Sequence, residues 1–254
     1  VLYSKDLLSR LKNPVELKDE TLSQQDRFGI IRDAFVLSEA GYMSVEAALD
    51  LLTSYVNEDS YIVWAEIAGD MGKIKNLLFG EKVYEDYEVF VAHLFTKIGN
   101  TVGWEKKKNE DHAVTLLRSM VLGVLARNKD KKTIDYALDL FKKDTLGKVK
   151  IDSDLRSVVY VVAAENGGVT EYEYFMKRYK EESFQEEKDR ILRALCAFKQ
   201  KTILEKVLNF AFSTDVKAQD SFKVVTYIAG NPYGRNLAWE KVQKEWDSIE
   251  KKFG

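Results

Sequence analysis

The chain has 254 residues, 45% of them hydrophobic and 31% charged, which excludes a disordered tail and leaves room for one large domain or two small ones. Its net charge of −2 is scattered along the whole length, without the basic excess or stripe expected of a nucleic-acid binder. No apolar run approaches the length of about 20 residues that spans a bilayer, so neither nucleic acid nor membrane is an expected partner.

Two prolines are few for a chain of this size, and proline is the residue that most disrupts helix interiors. From the N-terminus, Asn13-Pro14 predicts a turn, and Ser23 with Asp26 has the spacing of a capping box at a helix start. Gly41 then reads as a stop and Ser44 as the next N-cap. Val45, Ala48, Leu49, Leu52, Tyr55 and Val56 follow at intervals of three and four, one face of a helix. Gly80 and Gly99 are further candidate stops, and Lys106-Lys107-Lys108, with Glu110 and Asp111 just after, reads as a solvated turn. Asp111 and Asp130 are candidate N-caps, the second leading into an Ile134, Ala137, Leu138, Phe141 stripe. Ser153, Thr170 and the pair Ser183 and Glu186 predict later helix starts, and Gly167-Gly168 and Gly230 predict stops. Asn231-Pro232 predicts a turn before a last stripe of Trp239, Val242, Trp246, Ile249 and Phe253.

No segment sustains period-2 alternation, so no strand is expected. The punctuation gives roughly thirteen or fourteen helices of about 10–18 residues. Short polar links make neighbours antiparallel. The expected fold is all-α, a superhelical solenoid of antiparallel helix pairs of HEAT or armadillo type, in a single domain over residues 1–254.

The catalytic inventory is nearly empty. Zinc hydrolases with H-E-x-x-H need two histidines one helical turn apart, whereas this chain has only His93 and His112. His93 lies among Phe90, Val91, Leu94 and Phe95 and reads as a partly buried packing residue, His112 as a first-turn surface residue. Cys196 is the one cysteine. It rules out an intrachain disulfide, fits a reducing compartment and reads as a small core residue on a helix. No phosphate-binding glycine loop is present. The residues alone lead to a soluble α-helical repeat domain with a binding or lining surface.

A set of motifs in fixed order carries this further. Asp26-Arg27, Asp33-Ala34-Phe35, Leu37, Ala40-Gly41, Ala48-Leu49, Tyr55, Glu58, Tyr61 and Trp64 form the first group. Asp154-Leu155-Arg156-Ser157-Val158-Val159-Tyr160, Asn166-Gly167-Gly168, Glu187-Lys188-Asp189-Arg190 and Ala194-Leu195 form the second. Gln219-Asp220, Gly234-Arg235, Ala238-Trp239 and Trp246 close the series. Together they resemble the C-terminal helical domain of the M1 family of zinc aminopeptidases, and Gly234-Arg235 leans toward its puromycin-sensitive and archaeal tricorn-interacting branch. Val1-Leu2-Tyr3 resembles the tail of the β-sandwich strand that precedes that domain, as if residues 1–3 were its remnant.

The resemblance implies a non-catalytic domain that closes the active-site cavity of a cytoplasmic peptidase and gates or binds its peptide substrates. Its partners would be peptides and the catalytic domain of the same polypeptide. Zinc would sit in that catalytic domain, and no catalytic or metal-binding residue is expected here. Arg156, Tyr160 and Arg190, in the best-matched helices, are the candidate peptide-binding residues. Arginine's planar fork suits a peptide carboxylate, although signature residues of a repeat fold more commonly bridge adjacent helices through buried hydrogen bonds. A free-standing scaffold for protein–protein interaction is the alternative.

Overall fold

The computed structural model describes residues 1–253, and their side chains apart from those of 218, 248 and 251–253. Among the described residues it contains fourteen α-helices, one 3₁₀ turn and no strand, as the absence of period-2 patterning predicts. The chain divides into two compact units, Val1–Thr133 and Ile134–Gly254.

The first unit holds α1 (Lys5–Leu17), α2 (Gln24–Glu39), α3 (Val45–Leu52), the 3₁₀ turn Thr53–Tyr55, α4 (Tyr61–Leu78), α5 (Tyr84–Val102) and α6 (His112–Arg127). Ser23 and Asp26 form the capping box, with Ser23 Oγ accepting from the Asp26 N–H at 3.1 Å and the Asp26 carboxylate accepting from the Ser23 N–H at 2.9 Å. Ser44 and Asp111 cap α3 and α6 as expected. α4 packs on α2, α5 and α6, sending Val63, Trp64, Ile67 and Met71 into the core. Trp64 meets Phe95 of α5 with ring centroids 4.7 Å apart. Gly99 is no stop. It lies inside α5, where a Cβ would come within 2.5 Å of Leu125 on α6, so its role is to let two helices approach closely. Gly103, at φ 57°, ends the helix instead.

Two further expectations fail here. Asn13-Pro14 lies within α1, not in a turn. Proline there forfeits one helical hydrogen bond, in a last turn already closing at Lys18 (φ 52°). His93 is exposed, because Val91, Phe95, Ile98 and Val102 supply the buried stripe of α5 and position 93 falls off it.

α7 (Lys131–Thr145) begins at the division and belongs mostly to the second unit, with Asp130 Oδ1 capping it through the Thr133 N–H at 2.9 Å. There follow α8 (Arg156–Asn166), α9 (Val169–Glu181), α10 (Gln185–Leu195), α11 (Lys201–Ala211), α12 (Ala218–Gly230), α13 (Arg235–Lys244) and α14 (Trp246–Phe253). α10 packs on α8, α9 and α12, and α13 on α11 and α12. Within each unit helices therefore touch both the next and the next but one, as stacked helix pairs do. α8 is buried continuously from Val158 to Ala164, the signature of a central helix. Its start is set by Leu155 and that of α9 by Gly168, whose N–H donates to Glu171 at 2.7 Å. Neither Ser153 nor Thr170 caps. Ser183 and Glu186 form no capping box either, since α10 starts after Phe184. The last stripe does not form one buried face. Glu245 separates α13 from α14, Ala238 is the buried residue of α13, and Trp239 and Trp246 are exposed. The Phe253 side chain lies outside the described residues.

Candidate functional site

The three sequence-predicted residues converge on one carboxylate. Arg156 opens α8, Tyr160 lies one turn further along the same face, and Arg190 projects from α10 three residues after Glu187. Glu187 is 3% exposed. Its Oε2 accepts from Arg156 Nη1 at 3.0 Å and from Arg190 Nη1 at 2.9 Å, and its Oε1 accepts from the Tyr160 hydroxyl at 3.1 Å. Arg156 is held further by donating Nε to the Ile151 carbonyl at 3.2 Å, and the second nitrogen of Arg190 pairs with the exposed Glu186.

Burial pushes the Glu187 carboxyl up, but hydrogen bonds from Arg190 and Arg156 outweigh it and hold the group below its ordinary range. Burial drives the Tyr160 phenol well above its usual value, so it stays a donor. The floor is aromatic. Phe141 packs against Tyr160, Tyr174 and Phe175, with centroids 6.4, 5.2 and 5.5 Å away.

The structure adds two residues that the sequence reading did not select. Glu187 is the hub itself. The signal was present, since an acid and an arginine at i and i+3 share a helix face. Arg178, in the last turn of α9, brings a third guanidinium, whose Nη2 stands 3.8 Å from Glu187 Oε1. Its Nη1 donates to the Tyr174 hydroxyl at 3.2 Å. The cations are partly open to solvent, with side-chain exposures of 22% at Arg156, 18% at Arg190 and 34% at Arg178.

The first unit carries a similar motif without that surplus. Glu58, its side chain 1% exposed, takes Nε and Nη2 of Arg27 at 2.6 and 3.2 Å, and also the backbone N–H groups of Asp59 and Ser60. Arg27 Nη1 donates to the Leu22 carbonyl, and the Tyr55 hydroxyl donates to the Arg27 carbonyl. One cation meets one anion, and both are sealed in. Arg118 and Glu110 form a second sealed pair, at 2.6 and 2.5 Å.

His93 and His112 are both exposed and lie on different helices. Among the described residues no three His, Cys, Asp or Glu side chains are grouped to hold a metal ion. Cys196 is buried, and burial pushes its thiol far above the reactive range. Among the same residues no helix is long and apolar enough to cross a membrane.

Comparison with known proteins places this architecture. The family model described as "ERAP1-like C-terminal domain" matches residues 1–254. Human glutamyl aminopeptidase is 30% identical over 242 residues, covering 94% of this chain and 25% of the relative. Aminopeptidase A of Gloydius brevicauda is 31% identical over 243 residues, with the same coverage. The aminopeptidase of Saccharomyces cerevisiae named "Aminopeptidase 2, mitochondrial" is 29% identical over 236 residues, 92% of this chain and 25% of its own length. The chain thus spans about a quarter of the length of the curated relatives it matches. With an all-helical fold and a family match from end to end, the chain belongs to the ERAP1-like C-terminal domain family.

Proposed function

We propose that this chain serves as the C-terminal domain of a zinc-dependent M1 aminopeptidase, closing the active-site cavity and holding the tails of peptide substrates. The parent enzyme would remove N-terminal residues from peptides, with zinc and the catalytic groups supplied by its catalytic domain. Family membership and the aminopeptidase relatives support the assignment to this domain. The peptide-holding role rests on one observation, the three partly exposed guanidiniums gathered at Glu187 over an aromatic floor. A peptide tail ends in a carboxylate, and a guanidinium beside a low-dielectric wall binds carboxylate more strongly than one in open water.

One domain over 1–254, a cytoplasmic setting and the puromycin-sensitive and archaeal tricorn-interacting branch are parts of the same proposal. The branch rests on Gly234-Arg235, and packing gives that glycine a second reason to be there. A Cβ at Gly234 would come within 2.6 Å of the Ile228 side chain.

The test uses the whole enzyme with peptides of about ten residues, compared as free C-terminal acids and as amides. The proposal expects a higher kcat/KM for the acids, and expects single-residue reporters to be indifferent to changes at the cluster. Equal rates for acid and amide would remove the peptide-holding role.

A further inference from the structure

We infer that Arg178 is the residue that contacts the substrate carboxylate, while Arg156 and Arg190 are positioning residues that hold Glu187. This rests on the peptide-holding reading above and assigns its specificity-determining contact. Hydrogen-bond occupancy separates the three guanidiniums. Arg156 and Arg190 each spend a nitrogen on Glu187 Oε2, at 3.0 and 2.9 Å, and each has a further acceptor, the Ile151 carbonyl or Glu186. Among the described residues the Arg178 side chain makes a single hydrogen bond, from Nη1 to Tyr174. Its approach to Glu187, at 3.8 Å, is an electrostatic contact too long for a hydrogen bond.

The Nε–Nη2 edge of Arg178 therefore carries no hydrogen bond. In the first unit Arg27 uses that same edge to hold a carboxylate with both nitrogens. Arg178 is also the most exposed of the three cations. Its orientation is fixed before any ligand arrives, because the guanidinium carbon lies 5.9 Å from the Tyr174 ring centroid while Nη1 bonds the hydroxyl. Little side-chain entropy remains to be lost on binding. Glu187 does not repel the incoming anion, since two other guanidiniums already neutralise it. Asp144, an acid whose charge also reaches Tyr174, accepts from the Ile151 N–H at 3.2 Å.

The experiment is a calorimetric titration of this chain with an N-acetylated pentapeptide, as free acid and as C-terminal amide. Melting curves are recorded for every variant. Wild type should prefer the acid. Arg178→Gln should weaken the acid about ten- to a hundredfold, leave the amide unaffected and melt with wild type. Arg178→Lys should restore only part of the preference, because a point charge lacks the fork. Arg156→Gln should melt lower and keep the acid preference in whatever fraction remains folded. Retention of the full preference by Arg178→Gln overturns this assignment and leaves the peptide-holding role standing. Absence of the preference in wild type removes both.

Discussion

The two units each bury a glutamate against arginine, yet the two centres differ in how fully their charges are matched and enclosed. At Glu58 the charges match one to one, the acid is bonded by the guanidinium and two backbone N–H groups, and nothing faces water. At Glu187 three guanidiniums and a phenol crowd one carboxylate, and the cations keep part of their surface open. A closed pair of the first kind adds no capacity for a ligand, because each guanidinium nitrogen already donates and the pair is buried. The difference teaches that a signature Arg and Glu do not by themselves mark a binding site. What marks one is cationic capacity left over after the helices have been braced.

That contrast can be broken first at the closed centre, where the largest effect is expected. Glu58→Ala leaves Arg27 buried and unpaired, and should cost about 3–5 kcal/mol, read as a fall in denaturant midpoint at constant slope. Glu187→Gln should cost less, about 2–3 kcal/mol, because its cations can recover water at their exposed edges. A Glu187→Gln loss equal to that of Glu58→Ala would make the second centre a brace like the first.

Acid sharpens the comparison next. Arg118 holds the Glu110 carboxyl down at about 2, and Glu187 is likewise depressed by Arg190 and Arg156 against the push of burial. A depressed carboxyl stabilises the fold fully above its ordinary pKa of 4.5, and that contribution is lost as pH falls through the folded value. Stability should therefore decline below about pH 4.5. Glu110→Gln and Glu187→Gln should each flatten that decline in a pH series of melting curves, and an unchanged slope would show that neither pair is linked to folding.

The smallest effects come last. Arg178→Gln should alter stability by no more than about 1 kcal/mol, since its ion pair with Glu187 is long, partly exposed and not a hydrogen bond. Cys196 should resist a thiol reagent in the native chain and react on unfolding, because it is buried with its thiol pushed up.

The sequence made the helical class legible because apolar spacing and caps are local signals, and Ser23, Ser44, Asp111 and Asp130 cap as their side-chain chemistry predicts. The failures were places where tertiary packing decided. Gly99 looked like a stop and is a close-approach point against Leu125, and Pro14 looked like a turn and is tolerated in a closing helix. Trp239 and Trp246 had helical spacing yet lie exposed, because spacing gives a face and not what the face meets. Family motifs singled out Arg156, Tyr160 and Arg190, and the structure brings all three to Glu187. Arg178 was not singled out, since nothing local to α9 reveals that its last turn faces a glutamate on α10.

The most direct test follows the arginine Nε–Hε resonances by NMR while an acetylated dipeptide with a free carboxylate is titrated into the chain. Arg178 should shift saturably, Arg156 and Arg190 less, and the sealed Arg27 and Arg118 not at all. Equal shifts at Arg27 and Arg178, or a silent Arg178, would contradict the distinction between a closed brace and an open cationic site.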